Sequence, residues 1–332
     1  MAASPESKAL ALSGVIERLK HADDKMRLSA LGEILRARAG GQALNQIAEC
    51  LNDSSQRVRR AAVTVLAETG PEATTALADA LGDGQPCTIR MLAASSIARW
   101  GSEALPAIDP LIACLEAGEE ELRSVAALTL GKIGNRAVPS LRKLLSDSSA
   151  SARIAAAEAL GHVGHSAAEA LDDLRRVTKE SPTALRLACA AAAFKISGDS
   201  QDGLSIMIEA LQSDDEPTRL KALQSLGESS ANAKEATSIV LKCLDDRSAM
   251  IRSGAALTLG RIGVASPEVI RALILVLADS ESVVRLNTVI ALSALASKGS
   301  QAFTALQQAQ KDKDARVATA ATAAVGRIDG SA

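Results

Sequence analysis

A chain of 332 residues with 37 basic and 39 acidic side chains carries a net charge of −2 and lacks the bulk positive field that non-specific nucleic-acid binding draws on. Apolar residues make up 47% of it and aromatics 1% (Trp100, Phe194, Phe303, no Tyr), so small and aliphatic side chains must build the core, in a composition that favours helices over strands. No apolar run reaches the roughly 18 to 20 residues of a membrane span, and Met1 to Lys20 has no basic segment ahead of its short apolar stretch, so a cytoplasmic protein without membrane insertion is expected.

Internal repetition organises the sequence. The first unit, 5–39, is anchored on Arg27 and is irregular from Leu28 to Arg38, as a polar cap would be; the second, 40–70, carries Asp53 and, six residues on, Arg59. In the third, 71–101, Arg90 follows a turn with Gly84 where the acid belongs and Asp83 beside it, and in the fourth, 102–134, Arg123 follows Ala117. The fifth, 135–164, restores the pair as Asp147 and Arg153, and the sixth and seventh, 165–198 and 199–230, are anchored on Arg186 and Arg219. The eighth, 231–263, has Asp246 and Arg252; the ninth, 264–298, has Asp279 and Arg285. The tenth, 299–330, keeps Asp312 but has Ala318 in place of the arginine, and its polar Gln307 to Asp312 segment also suits a cap. Steps of 30 to 33 residues separate successive anchors, which makes one solenoid domain, 1–332, the expected organisation.

Within a unit, apolar or small residues stand one before the anchor and three, four, seven and ten after it, as in Leu122, Ala126, Ala127, Leu130 and Ile133. That spacing is one face of a helix. Upstream runs such as Ala137 to Leu145 and Val269 to Leu277 give a second amphipathic helix, joined to the first by the short turn that carries the acid. A two-helix unit of this size cannot bury its own apolar face, so neighbouring units have to stack. The predicted fold is an all-α superhelix of about ten helix pairs.

The signature Asp…Val-Arg-x-Ala-Ala-x-x-x-Leu-Gly-x-Ile-Gly resembles the HEAT-repeat family, in particular its short bacterial form, also found in phycobilisome-lyase-like proteins; the resemblance spans roughly residues 5 to 330. It implies that the turn acid and the arginine form a ladder between successive repeats, here through Asp53, Asp147, Asp246 and Asp279 with Arg59, Arg153, Arg252 and Arg285. It also implies that second helices line an inner, concave surface.

Catalytic signals are weak. There is no phosphate loop, nucleophile elbow, dinucleotide motif or zincin helix. His162 and His165 share a helix end, but His162 stands where sister repeats have Lys132 and Arg261, so a solvated end is expected and no metal. HEAT-like deoxyhypusine hydroxylases hold iron through His-Glu dipeptides, and this sequence has none. The cysteines at 50, 87, 114, 189 and 243 show no CxxC or metal spacing and are expected to be reduced packing residues. Glycines eight residues after the anchor (Gly131, Gly161, Gly227, Gly260) are expected to let neighbouring helices approach.

The expected function is therefore a non-catalytic scaffold without a cofactor. Its candidate surface is read from second-helix positions that do not face the core. One and five residues after the anchor stand Met91, Leu128, Ile154, Leu187, Leu220, Leu257, Leu286 and Ile290; nine after it, the row includes Arg99, Lys132, Lys195 and Arg261. An apolar strip flanked by cations suits a protein partner, an amphipathic helix or extended peptide, possibly acidic. The resemblance leaves a bilin or chromophore lyase-like subunit as the alternative, although few aromatics are present to stack on a tetrapyrrole. Glu68, Glu158 and Glu228 interrupt the groove and argue against a nucleic-acid ligand.

Overall fold

The computed structural model describes residues 12–147, 149–180, 183–198 and 201–330, and among these every regular element is helical. Residues 5–11 of the first unit lie outside the described residues, as does the side chain of Asp147. Contacts divide the chain into two compact units, residues 1–173 and 174–332.

In the first unit the helices alternate between a first and a second helix of each repeat: α1 (12–17), α2 (Asp24–Ala37), α3 (Leu44–Glu49), α4 (Gln56–Thr69), α5 (Thr74–Asp79), α6 (Cys87–Ile97), α7 (Ile108–Ala117), α8 (Glu120–Ile133), α9 (Val138–Asp147) and α10 (Ala150–Val163). Helix α11 (Leu171–Glu180) is followed in the second unit by α12 (Thr183–Ser197), α13 (Gln201–Ala210), α14 (Glu216–Glu228), α15 (Thr237–Lys242) and α16 (Ala249–Ile262). The chain then runs through α17 (Pro267–Val276), α18 (Ser282–Leu295), α19 (Gln301–Ala309) and α20 (Ala315–Asp329). Within each unit the helix pairs stack side by side as an all-α array.

Second helices are the longer members because their apolar stripe is continuous. Leu122, Ala126, Ala127, Leu130 and Ile133 of α8 are all at most 1% exposed, and Ile251, Ala255, Ala256, Leu259 and Ile262 of α16 at most 2%. Ala at two of the five positions keeps these helices close. Each packs on the second helix of the next repeat within its unit, α2 on α4, α6 on α8, α8 on α10, α14 on α16 and α16 on α18. The glycines act at this contact: a Cβ on Gly260 would stand 2.7 Å from Ala291 Cα.

Several first helices are shorter than the sequence pattern suggests, because 3₁₀ turns take over at one or both ends. Gly40–Ala43 and Cys50–Asn52 bracket α3, and Cys243–Asp245 follows α15 at the corresponding position six repeats later. Second-helix starts are set by short polar side chains: Asp215 accepts from the Thr218 N–H and Asp314 from the Arg316 N–H. Their ends turn through left-handed residues eleven after the anchor, Gly134, Gly164 and Gly263, where φ is 85°, 68° and 77°. In the first repeat that place is held by Arg38 at φ 53°, the one described non-glycine residue with positive φ.

Candidate partner-binding surface

The turn acid has three simultaneous tasks, which explains its register. Asp279 Oδ1 accepts from the Glu281 N–H at 2.9 Å, closing the turn that starts α18. Its carboxylate also receives the Arg252 fork, Nε to Oδ2 at 2.7 Å and Nη2 to Oδ1 at 2.9 Å, and its carbonyl accepts from Arg285 Nη1 at 2.9 Å. Arg285 repeats the pattern one unit on, reaching Asp312 at 2.8 and 2.9 Å while its side chain is only 4% exposed. Arg27 reaches Asp53 in the same way at 2.6 and 2.8 Å, and Arg219 Nη2 reaches Asp246 at 3.3 Å. The bidentate arginine holds Asp279 and Asp312 below the usual carboxylate range. For Asp53, burial pushes upward but the Arg27 fork and the Ser55 N–H together outweigh it.

The rungs thin out where the acid is missing. Arg59 donates to the Asp53 and Ser54 carbonyls, and its buried Nε has no partner. Gly84 stands where that partner would be, and Pro86, two residues later, has no N–H to close an Asp-headed turn. Gln85 reaches back instead, from Nε2 to the Leu51 carbonyl at 2.8 Å. Arg90 folds onto Asp83 at 2.9 Å and the Leu81 carbonyl at 2.8 Å, while Arg123 and Arg153, whose in-register acids at 147 and 180 have side chains outside the described residues, donate to the Gly118 carbonyl and, at 2.8 Å, the Leu145 carbonyl. The partner of the first of these, at Ala117, is a methyl group.

Among the proposed surface residues, Leu128 is 49% exposed and Ile290 46%, and Arg99, Lys132 and Arg261 are also exposed. Met91, Ile154, Lys195, Leu220, Leu257 and Leu286 are half-buried. Leu187 is a correction: at 2% exposure it belongs to the core of the second unit, with Ala191 and Phe194 of the same helix, and cannot meet a partner. Half-burial of Leu220 has a local cause, since it leans over Gly254 of α16, where a Cβ would lie 3.3 Å from Leu220 Cδ1. The cation row is also less uniform than it reads. Arg99 is paired with Glu68 at 2.7 Å and Lys195 with Glu228, whereas Lys132 and Arg261 have no carboxylate within ion-pair distance among the described residues. Both stand in the last turn of a helix, where a cation also complements the helix dipole.

Sequence reasoning missed a further row two residues before the anchor. Met250 is 53% exposed and Val283 41%, at a position where sister repeats carry Arg57, Thr88, Glu121, Ser151 and Arg316. That contrast was the available signal. It also missed the buried cross-helix bonds of Thr129 Oγ1 to the Ala94 carbonyl at 3.1 Å and Thr258 Oγ1 to the Leu223 carbonyl at 2.9 Å, which sit six after the anchor and tie second helices together.

All five cysteines are free thiols; burial pushes Cys50 and Cys243 up to about 11, away from thiolate chemistry. His162 and His165 are both exposed, and among the described residues no three His, Cys, Asp or Glu side chains group as a metal site would require. No described helix is long and apolar enough to cross a membrane. A cavity of about 590 Å³ opens between the ends of α2 and α4, lined by Ile34, Leu35, Arg38, Val65, Glu68 and Glu72, with Arg38 opposing its acids.

A family model described as HEAT repeats matches residues 12–98, 108–195 and 204–293. No curated protein matches the chain. Among solved structures, the karyopherin Kap121p bound to the SUMO protease Ulp1p is similar with a TM-score of 0.56 at 13% identity, over 99% of this chain and 46% of that one. The CpcE–CpcF complex of phycocyanin lyase from a Nostoc species matches at TM-score 0.42 and 19% identity, over 82% and 93% of the two chains. Human deoxyhypusine hydroxylase in complex with glycerol matches at 0.38 and 22%, over 78% and 97%. At these identities the likeness concerns the fold alone.

Proposed function

The chain belongs to the HEAT-repeat family, and from that premise we propose that it is a non-catalytic scaffold whose second helices bind a protein partner. The partner is an amphipathic helix or extended peptide, laid across the exposed second-helix positions and steered by their cations. One observation carries the reading: Leu128 and Ile290, five residues after their anchors, expose about half their surface on helices whose core-facing residues Leu122, Leu130, Val284 and Leu292 are fully buried. A stacked solenoid has no structural need for apolar groups there. The karyopherin Kap121p, similar in fold, is seen bound to protein ligands, which supports the reading by analogy.

A photo-crosslinking residue placed at Leu128 or Ile290, compared with one at the exposed first-helix positions Lys143 or Lys242, tests it in lysate. Crosslinked protein concentrated at the second-helix positions is expected. Equal yields, or a preference for the first helices, would remove the proposal.

A further inference from the structure

Exposed apolar surface is concentrated. Of the six large apolar side chains exposed among the described residues, Met250, Val283 and Ile290 lie on two consecutive second helices, α16 and α18. These helices pack side by side and nearly in register: Gly260 abuts Ala291 and Asn287 Nδ2 donates to Ser253 Oγ at 2.5 Å, offsets of 31 and 34 residues where one repeat is 33. Met250 and Val283 hold the same place on the two helices, two residues before their anchors. On each helix the exposed residue is followed, seven positions later and so on the same face, by another apolar one, Leu257 after Met250 and Ile290 after Val283, with the half-buried Leu286 between the last two. The patch is two helices wide and two turns long.

Charge around it is asymmetric. At its C-terminal edge the row nine after the anchor reads Arg261, Ala294, Arg327 on α16, α18 and α20. Arg261 has no carboxylate partner among the described residues, and Arg327 makes a 3.4 Å contact from Nη2 to Ser293 Oγ. Two exposed guanidinium groups thus flank a methyl-sized gap. The N-terminal edge is mixed: Glu216, which accepts from Ser248 Oγ at 2.7 Å, and the exposed Glu281 stand beside the exposed Arg247 and Lys313, and Arg316 is neutralised by Asp314 at 2.9 Å.

We infer that this α16–α18 face is the primary docking site, that its occupant is one amphipathic helix with apolar residues at i, i+3/i+4 and i+7, and that carboxylates at one end of that helix sit between Arg261 and Arg327. The inference rests on the second-helix reading above and adds the place, the chemistry and the polarity of the ligand. The apolar row contributes burial, while the guanidinium pair, set against an edge of mixed charge, decides which way the helix lies.

The test uses the full chain and two fluorescein-labelled 18-residue helical peptides with the same Leu face, one ending in three Glu and one in three Lys. Anisotropy should show the Glu form binding at least tenfold more tightly, with the preference shrinking as salt rises. Met250→Ser with Ile290→Ser should weaken it at least tenfold without changing helical content. Arg261→Gln with Arg327→Gln should remove the Glu-over-Lys preference, Leu128→Ser with Lys132→Gln in the first unit should weaken binding less than the α16–α18 changes do, and Lys143→Gln with Lys242→Gln on first helices should change nothing. Equal binding of the two peptides, no binding of either, or a dimer of the chain that Met250→Ser dissolves would each overturn the inference. Loss of binding from the first-unit pair alone would overturn it too, yet leave the broader second-helix reading standing.

Discussion

The turns before α18 and α6 are built to one pattern and solved differently. Before α18, Asp279 closes its own turn, receives Arg252 from the preceding repeat and offers its carbonyl to Arg285, so every strong polar group meets a partner. Before α6, Gly84 replaces the acid and Pro86 removes the N–H, and Arg59 is left with a buried Nε that bonds to nothing. The comparison teaches that the arginine is not a surface ion pair. It is a clasp between units, worth most where both its carboxylate and its carbonyls are present.

Removing the clasp should therefore cost different amounts in the two places. Arg285→Met strands Asp312 and the Asp279 and Ser280 carbonyls, and should lower stability by about 3 kcal/mol. Arg59→Met should cost about 1 kcal/mol, since only carbonyl bonds are lost. Denaturant unfolding of the two variants reads the difference, and equal losses would break the comparison.

Acid should act in the same direction. The folded-state pKa values of Asp279 and Asp312 are depressed, so their contribution is complete above the ordinary carboxylate pKa of about 4 and disappears as pH falls through the lower folded value. Melting curves of the native chain and of Asp312→Asn should accordingly be well separated at neutral pH and converge on acidification. A gap that widened in acid would contradict the assignment.

Close approach of second helices gives the next effect. Gly260→Ala gains helix propensity of up to about 1 kcal/mol, but its Cβ would press at 2.7 Å on Ala291 backbone, and overpacking of this kind costs roughly 1 to 3 kcal/mol. A net loss in thermal stability is expected. The smallest effect is a repair: Gly84→Asp, at a position where a Cβ meets nothing within 4 Å, should raise stability by about 0.5 to 1 kcal/mol by giving Arg59 a carboxylate. No gain would mean that Pro86 alone sets that turn.

Much of the fold was legible because its signals are periodic. The anchor register, the buried positions of α8 and α16 and the missing acids at 84 and 117 could all be read from spacing. The surface was less legible, since a helix wheel does not know its neighbours. Leu187 occupies the same register as Leu220 and Leu286 yet is buried in the core of the second unit, so its exposure depends on neighbours that the wheel does not contain. Lys195 and Arg99 read as free cations until their glutamates, a full repeat away, came within reach. Met250 and Val283 were passed over because they precede the anchor, outside the rows that the repeat signature makes conspicuous.

A complete arginine clasp locks consecutive repeats together. Native-state hydrogen exchange measures this locally. Amides in the buried turns of α16 and α18, flanked by the Arg252–Asp279 and Arg285–Asp312 pairs, should exchange at least about tenfold more slowly than those of α6, whose turn lacks the carboxylate, and Arg285→Met should erase that advantage in α18. Equal protection of the two regions, or protection that survives the substitution, would contradict it.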